Sequence, residues 1–282
     1  MMNMKTMKTC TLLVLSLLGL GQLRAQDGKT QDGKTQLVVP LSDPGKPYKL
    51  NMHLIDGSIK MIGYEGKDII IDVEAEPEKK KEEKETGTGG MRKIPMGNSL
   101  DITAEERNNN VQINSGVFKK MNGVTIKVPQ NAGTIKLGTV NNGDITLSNV
   151  NGEIEISNVN GSITATNVSG SVVANTVNGN VIVTFKTVDS RAPMAFSSLN
   201  GKIDVTFPAD LKANLKLKAD RGDVFTDFDV DVDKTTPKMN KTQEDHMYKI
   251  SIEDWVYGKI GGGGPEMMMK NMFGSIYIRK AK

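Results

Sequence analysis

The residues able to do chemistry in this chain are few, and their spacing gathers few of them. The two histidines, His53 and His246, stand far apart, and neither a Gly-x-Ser-x-Gly nor a His-Glu-x-x-His pattern occurs. Met267, Met268, Met269 and Met272 have the soft thioether chemistry that suits Cu(I). Three of them are consecutive, and consecutive residues of a strand point to opposite faces, so packing accounts for them better than a metal does. Gly261 to Gly264 and Pro265 lack the Gly-Lys-Ser/Thr ending with which a glycine-rich loop holds phosphate. Arg221-Gly222-Asp223 spells an integrin-type tripeptide, but Gly222 falls in a repeating glycine column and Val224 in the apolar column read as buried. The residues in hand therefore name no catalytic set, no cofactor site and no metal site, and the chain reads as a non-enzyme.

That glycine column is the strongest pattern present. Gly143, Gly152, Gly161, Gly170 and Gly179 are nine residues apart, and Gly201 opens a later copy of the same unit. Two residues after each glycine stand Ile145, Ile154, Ile163, Val172 and Val181, and four after stand Leu147, Ile156, Ala165, Ala174 and Val183. Positions two and four share one strand face, while the glycines, often preceded by asparagine, suit corners. A third apolar column, Val150, Val159, Val168 and Val177, is expected to join the core. A short fixed period of this kind means that each unit buries its apolar face only against its neighbours. The expectation is an all-β chain, a single β-solenoid with about nine residues per strand-plus-corner unit and the six glycines as structural corners. Nine residues cannot circle a filled core, so each unit is half or a third of a coil. With eighteen residues per coil, Gly143, Gly161 and Gly179 would stack on one side and Gly152 and Gly170 on the other.

Calcium-binding nonapeptide rolls need an acidic residue recurring at each corner. Here the residue after glycine is Asp144, Glu153, Ser162, Ser171 and Asn180, which forms no acidic column. Enzymes built as solenoids cluster acids on an outward column, and that column reads Thr146, Glu155, Thr164, Val173 and Ile182.

Residues 1–25 read as a secretory signal peptide, with Lys5 and Lys8 before an apolar stretch from Leu12 to Leu20 that is too short to span a bilayer. Cys10 precedes that stretch, the wrong place for lipidation. The chain holds 36 basic and 33 acidic residues, and Lys5, Lys8 and Arg24 supply the whole excess. A mature chain from Gln26 is neutral, which removes the electrostatic case for nucleic acid, and it has no cysteine for a disulfide and no transmembrane segment. Residues 26–36 repeat Gln-Asp-Gly-Lys-Thr and read as a flexible spacer; 37–282 reads as one domain with polar excursions near 76–98 and 233–244. Gly274-Ser275-Ile276-Tyr277-Ile278 reads as a terminal cap.

The run from Asn142 to Phe185, the segment from Ala192 to Phe207, and Thr226 to Asp229 resemble the putative-adhesin family of β-strand-repeat exported bacterial proteins. The resemblance implies a β-solenoid of unassigned function and lends no functional residues. The resulting expectation is an exported structural or adhesin-like binding module, periplasmic, at the cell surface or secreted, whose partner is a glycan or a surface protein. The alternatives are a polysaccharide-active β-helix enzyme and an envelope signalling or assembly partner.

Overall fold

The computed structural model describes residues 34–75, 102–115, 121–233, 238–244, 247–253 and 255–282. Residues 1–25, read as a signal peptide, most of the stretch read as a spacer, the charged stretch 76–98 and His246 lie outside the described residues. Among those described, β-branched residues alternate with Ser, Thr, Asn and Glu, the pattern of a half-buried pleated strand, and all regular structure is β. No helix among them is long and apolar enough to cross a membrane.

In chain order the strands are β1 (Lys34–Pro40), β2 (Lys49–Asp56), β3 (Ser58–Tyr64), β4 (Asp68–Ala75), β5 (Ile102–Arg107), β6 (Asn110–Ser115), β7 (Met121–Pro129) and β8 (Asn131–Asn141). The regular block follows as β9 (Ile145–Ser148), β10 (Asn151–Asn160), β11 (Ile163–Asn178) and β12 (Val181–Val188). Then come β13 (Met194–Asn200), β14 (Ile203–Phe207), β15 (Ala213–Arg221), β16 (Val224–Thr226), β17 (Val230–Asp233), β18 (Lys238–Glu244), β19 (Met247–Glu253), β20 (Val256–Ile260), β21 (Glu266–Phe273) and β22 (Ile276–Lys280). Lys238–Glu244, within the stretch read as a polar excursion, pairs antiparallel with Met247–Glu253 as a ribbon apart from the other strands.

Twenty strands form one hydrogen-bonded network, and the long strand β11 divides it into two ladders. The first runs β1, β4, β7, β3, β9, the first half of β11, β12, β14, β22, β16. The second runs β5, β6, β2, β8, β10, the second half of β11, β13, β21, β15, β20, β17. Pairing is parallel through the middle of both, and antiparallel strands close the ends except at β16. Ile145 lies opposite Ile163 and Ile163 opposite Val181, while Ile154 lies opposite Val172, so successive turns of the regular block advance eighteen residues.

The inward positions of both ladders meet in one buried cluster. Ile145, Ile163, Val181, Ile203 and Ile276 come from the first ladder, and Ile154, Val172, Met194 and Met267 from the second. Burial of such side chains contributes about 1.5 to 3 kcal/mol each. A polar row crosses this interior. Thr139, Asn158, Thr176, Ser198 and Asn271 are buried, and each donates a side-chain hydrogen bond, of 2.7 to 2.9 Å, to the carbonyl of Gly57, Gly143, Gly161, Gly179 or Gly201 in turn. Without those donors, carbonyls at the corners would be buried and unpaired, a cost of roughly 1 to 3 kcal/mol each.

The last strands are not a terminal cap. β21 lies between β13 and β15, and β22 between β14 and β16, so the end of the chain is inserted into the stack rather than laid over it. An inserted strand pairs its backbone on both sides, where a cap leaves one edge open. Val224 is likewise not buried. It is 37% exposed because β16 ends the first ladder, with β22 its only strand partner among the described residues.

Candidate binding face

Columns that are continuous in sequence are divided in space. Thr146, Thr164 and Ile182 lie on β9, β11 and β12 of the first ladder, whereas Glu155 and Val173 lie side by side on the second. The residues after the glycines divide in the same way. At one corner Asp144 Oδ1 accepts from Ser162 N at 2.7 Å, Ser162 Oγ from Asn180 N at 3.1 Å, and Asn180 Oδ1 from Lys202 N at 2.9 Å. Asp144 therefore acts as an acceptor for the next turn. Glu153 and Ser171 lie together on the second ladder.

That division builds a site the linear columns hide. Thr134, Glu153 and Ser171 form one outward row across β8, β10 and β11, and Lys136, Glu155 and Val173 form the next. Between Val173 and Ala195 the register advances twenty-two residues, four more than in the regular block. The extra chain makes a turn, held by Asp189 N donating to Gly170 O at 2.9 Å and Arg191 N to Asp189 Oδ1 at 2.9 Å. The Arg191 backbone hydrogen bond holds the Asp189 carboxyl below the usual carboxylate range. Ala192 and Pro193 then wall a groove of about 310 Å³ over the two rows. Lys136 Nζ lies 2.6 Å from Glu155 Oε2, and Thr134 Oγ1 lies 3.5 Å from Glu153 Oε2. The groove combines two solvent-facing carboxylates, an ammonium, two hydroxyls and an apolar patch from Val173 and Pro193.

The third apolar column departs from expectation. Val150 and Val168 are buried, but Val159 and Val177 are each 37% exposed. Asparagine causes the difference: Asn149 and Asn167 adopt left-handed backbone, with φ of 58° and 54°, and shift the in-out alternation by one residue ahead of Val150 and Val168. On β10, alternation runs unbroken through Ile154, Ile156 and Asn158, which leaves Val159 outside.

The other sequence candidates take structural places. The His53 ring lies on the outer face against Gly138. Met267 and Met269 are core, while Met268 and Met272 face outward. At the tripeptide, the Arg221 guanidinium sits 5.0 Å over the Phe273 ring and Asp223 N donates to Ser275 Oγ. Gly222 and Gly274 stack so closely that a Cβ on Gly222 would lie 2.1 Å from the Gly274 carbonyl oxygen. Similar approaches link Gly143, Gly161, Gly179 and Gly201 along one side, and Gly152 and Gly170 along the other. Gly261 to Gly264 turn the chain from β20 into β21, with Asn214 N donating to Pro265 O. Among the described residues no group of three or more His, Cys, Asp or Glu is placed to hold a metal ion.

Residues 139–254 match the family model described as Toastrack DUF4097. No curated protein matches the chain. Among solved structures, a putative cell adhesion protein from Clostridium sporogenes is 13% identical with a TM-score of 0.45, over 88% of this chain and 100% of that one. A putative adhesin from Bacteroides fragilis is 12% identical with a TM-score of 0.31, over 89% and 98%. One from Parabacteroides merdae is 9% identical with a TM-score of 0.27, over 89% and 97%.

Proposed function

We propose that this protein is an exported, non-enzymatic, adhesin-like binding module that holds hydroxylated ligands, glycan chains first among them, in the groove of the second ladder. The nonapeptide is its structural unit, two to a coil, and Gly143, Gly152, Gly161, Gly170, Gly179 and Gly201 are its corners. Export rests on the signal-peptide pattern of residues 1–25. The observation that carries the binding role is the groove itself, which Ala192 and Pro193 line together with Glu153, Glu155 and Lys136. Carboxylates accept hydrogen bonds from paired hydroxyls, lysine donates to ring or acetal oxygens, and Val173 with Pro193 offers contact for C–H faces. Within such a row, side chains on neighbouring strands of the parallel ladder stand about 4.8 Å apart, which suits an extended chain better than a compact molecule.

The pair Glu153 and Glu155 on one strand face also favours a second reading, glycoside hydrolysis, which uses two carboxylates. Both are open to solvent, and Glu155 is committed to Lys136, so the pair is not enclosed around a sugar ring. Binding of the purified protein to immobilised neutral and acidic glycans separates the readings. Retained ligand without product is expected, and E153Q/E155Q should weaken it at least about tenfold, roughly 1.4 kcal/mol. Reproducible turnover would establish the enzyme, and a blank panel would remove the glycan.

A further inference from the structure

The second ladder carries a surface feature that the groove does not use. Its register sets Ile55, Val140, Val159, Val177, Leu199 and Met272 in one row across six neighbouring strands, each between 37% and 53% exposed. At about 4.8 Å per strand the row is about 24 Å long. Contiguous apolar surface of this kind marks an interaction site, whereas scattered exposed aliphatics do not. Along one flank the Asn178 Nδ2 donates to Asn160 Oδ1 at 3.0 Å and Asn160 Nδ2 to Asn141 Oδ1 at 3.4 Å, so the flank is polar but uncharged and partly self-satisfied. Charge stands at the two ends and differs in net sign: Asp56 beside Ile55, and beside Met272 the exposed Asp220, paired with Lys218 at 3.4 Å, together with Lys270 and Arg221, which leave that end net basic.

We propose that the occupant of this row is a second copy of the same chain, docked row against row in opposite directions about a twofold axis between Val159 and Val177. In that arrangement Ile55 meets the partner's Met272, and Val140 meets the partner's Leu199. Asp56 of each copy comes to the basic end of the other, whereas same-direction stacking would bring like charges together. An isologous contact needs this self-complementarity, and the uncharged middle costs little to desolvate. The contact covers on the order of 400 Å² per copy, about half of the roughly 800 Å² in a standard stable interface, so the dimer is weak and concentration dependent. Six residues, about 20 Å along β10, separate Glu153 from Val159, so the groove and the row use different side chains. A dimer therefore offers two grooves, and its gain on a repetitive ligand is avidity.

Sedimentation velocity of the full chain from about 5 to about 500 µM, a range bracketing a contact of this size, tests the proposal. The expected result is a rise from monomer toward dimer mass, lost at least tenfold in affinity by V177K at the centre of the row. D56K should weaken the dimer, and D56R/R221D should restore it relative to either single change. Should V177K fail to fold, V177T keeps the β-branched shape and is expected to weaken the dimer in the same direction. Monomer mass across the whole range overturns the proposal, as does a folded V177K or V177T that dimerises like the parent. Glycan retention by monomeric V177K reads the groove separately, since that variant keeps Glu153 and Glu155.

Discussion

Replacing Gly161 by valine is expected to lower the melting temperature by about 10 °C or more. A Cβ at position 161 would lie 2.1 Å from the carbonyl oxygen of Gly143 and 2.8 Å from the Asn158 amide nitrogen. The first obstacle is backbone of the neighbouring turn, which cannot swing away as a side chain tip can. Opening the ladder to make room would also strain the bond from Asn158 Nδ2 to the same carbonyl, and that from Gly161 N to Asn178 O. Loss of close packing and of buried hydrogen bonds together reaches about 4 kcal/mol, and a chain of this size loses about 2 to 4 °C per kcal/mol. G262A is the control. Gly262 also has positive φ, at 84°, but an added Cβ there meets nothing within 4 Å, so the cost is about 1 to 2 kcal/mol of backbone strain alone. Equal melting temperatures for the two variants, read by circular dichroism, would count against stacked corners.

Truncation after Gly264 is expected to abolish cooperative folding of the far half of the stack rather than trim one end from it. It removes β21 and β22, and with them the partners of β13, β14, β15 and β16. Met267, Met269, Ile276 and Ile278 leave the core with those strands, and all four are at most 1% exposed. At about 1.5 to 3 kcal/mol each, their loss is about 6 to 12 kcal/mol, comparable to the 5 to 15 kcal/mol that stabilises a whole domain. Hydrogen exchange should show residues 194–226 unprotected in the shortened chain. Protection there equal to that of the full chain would mean that the C-terminal strands are an appendage.

The all-β class and the first two inward columns were legible because short repeats impose the same local geometry on every copy; the sequence left each unit as half or a third of a coil, and the pairing of Ile145, Ile163 and Val181 makes it half in the regular block. Order along the stack was not legible. Any strand with the pattern of Ile276-Tyr277-Ile278 fits beside any other, and only the three-dimensional closure of the chain places it between β14 and β16. The candidate binding face was hidden for a related reason. In a two-ladder coil alternate repeats belong to different faces, so Glu155 and Val173 are neighbours although Thr164 stands between them in the sequence column. The exposed row escaped notice because Val159 and Val150 occupy equivalent sequence positions and differ only through the left-handed Asn149. One signal was available: the insert at Asp189 to Ala195 interrupts the period, and interruptions of a repeat tend to gather as loops on a binding face.

The groove, the aliphatic row and the inserted C-terminus all depend on one order of strands, and disulfide trapping tests it directly. Phe273 lies opposite Asn200 on one side and opposite Arg221 on the other. Neighbouring strands, about 4.8 Å apart, are within the 4.4 to 6.8 Å Cα separation of a disulfide, and strands two apart are not. With Cys10 replaced by serine, N200C/F273C and R221C/F273C are expected to oxidise to intramolecular disulfides in the folded protein, and N200C/R221C is expected to remain reduced. Ready closure of the 200 to 221 bridge, with neither position bonding to 273, would contradict the inserted order.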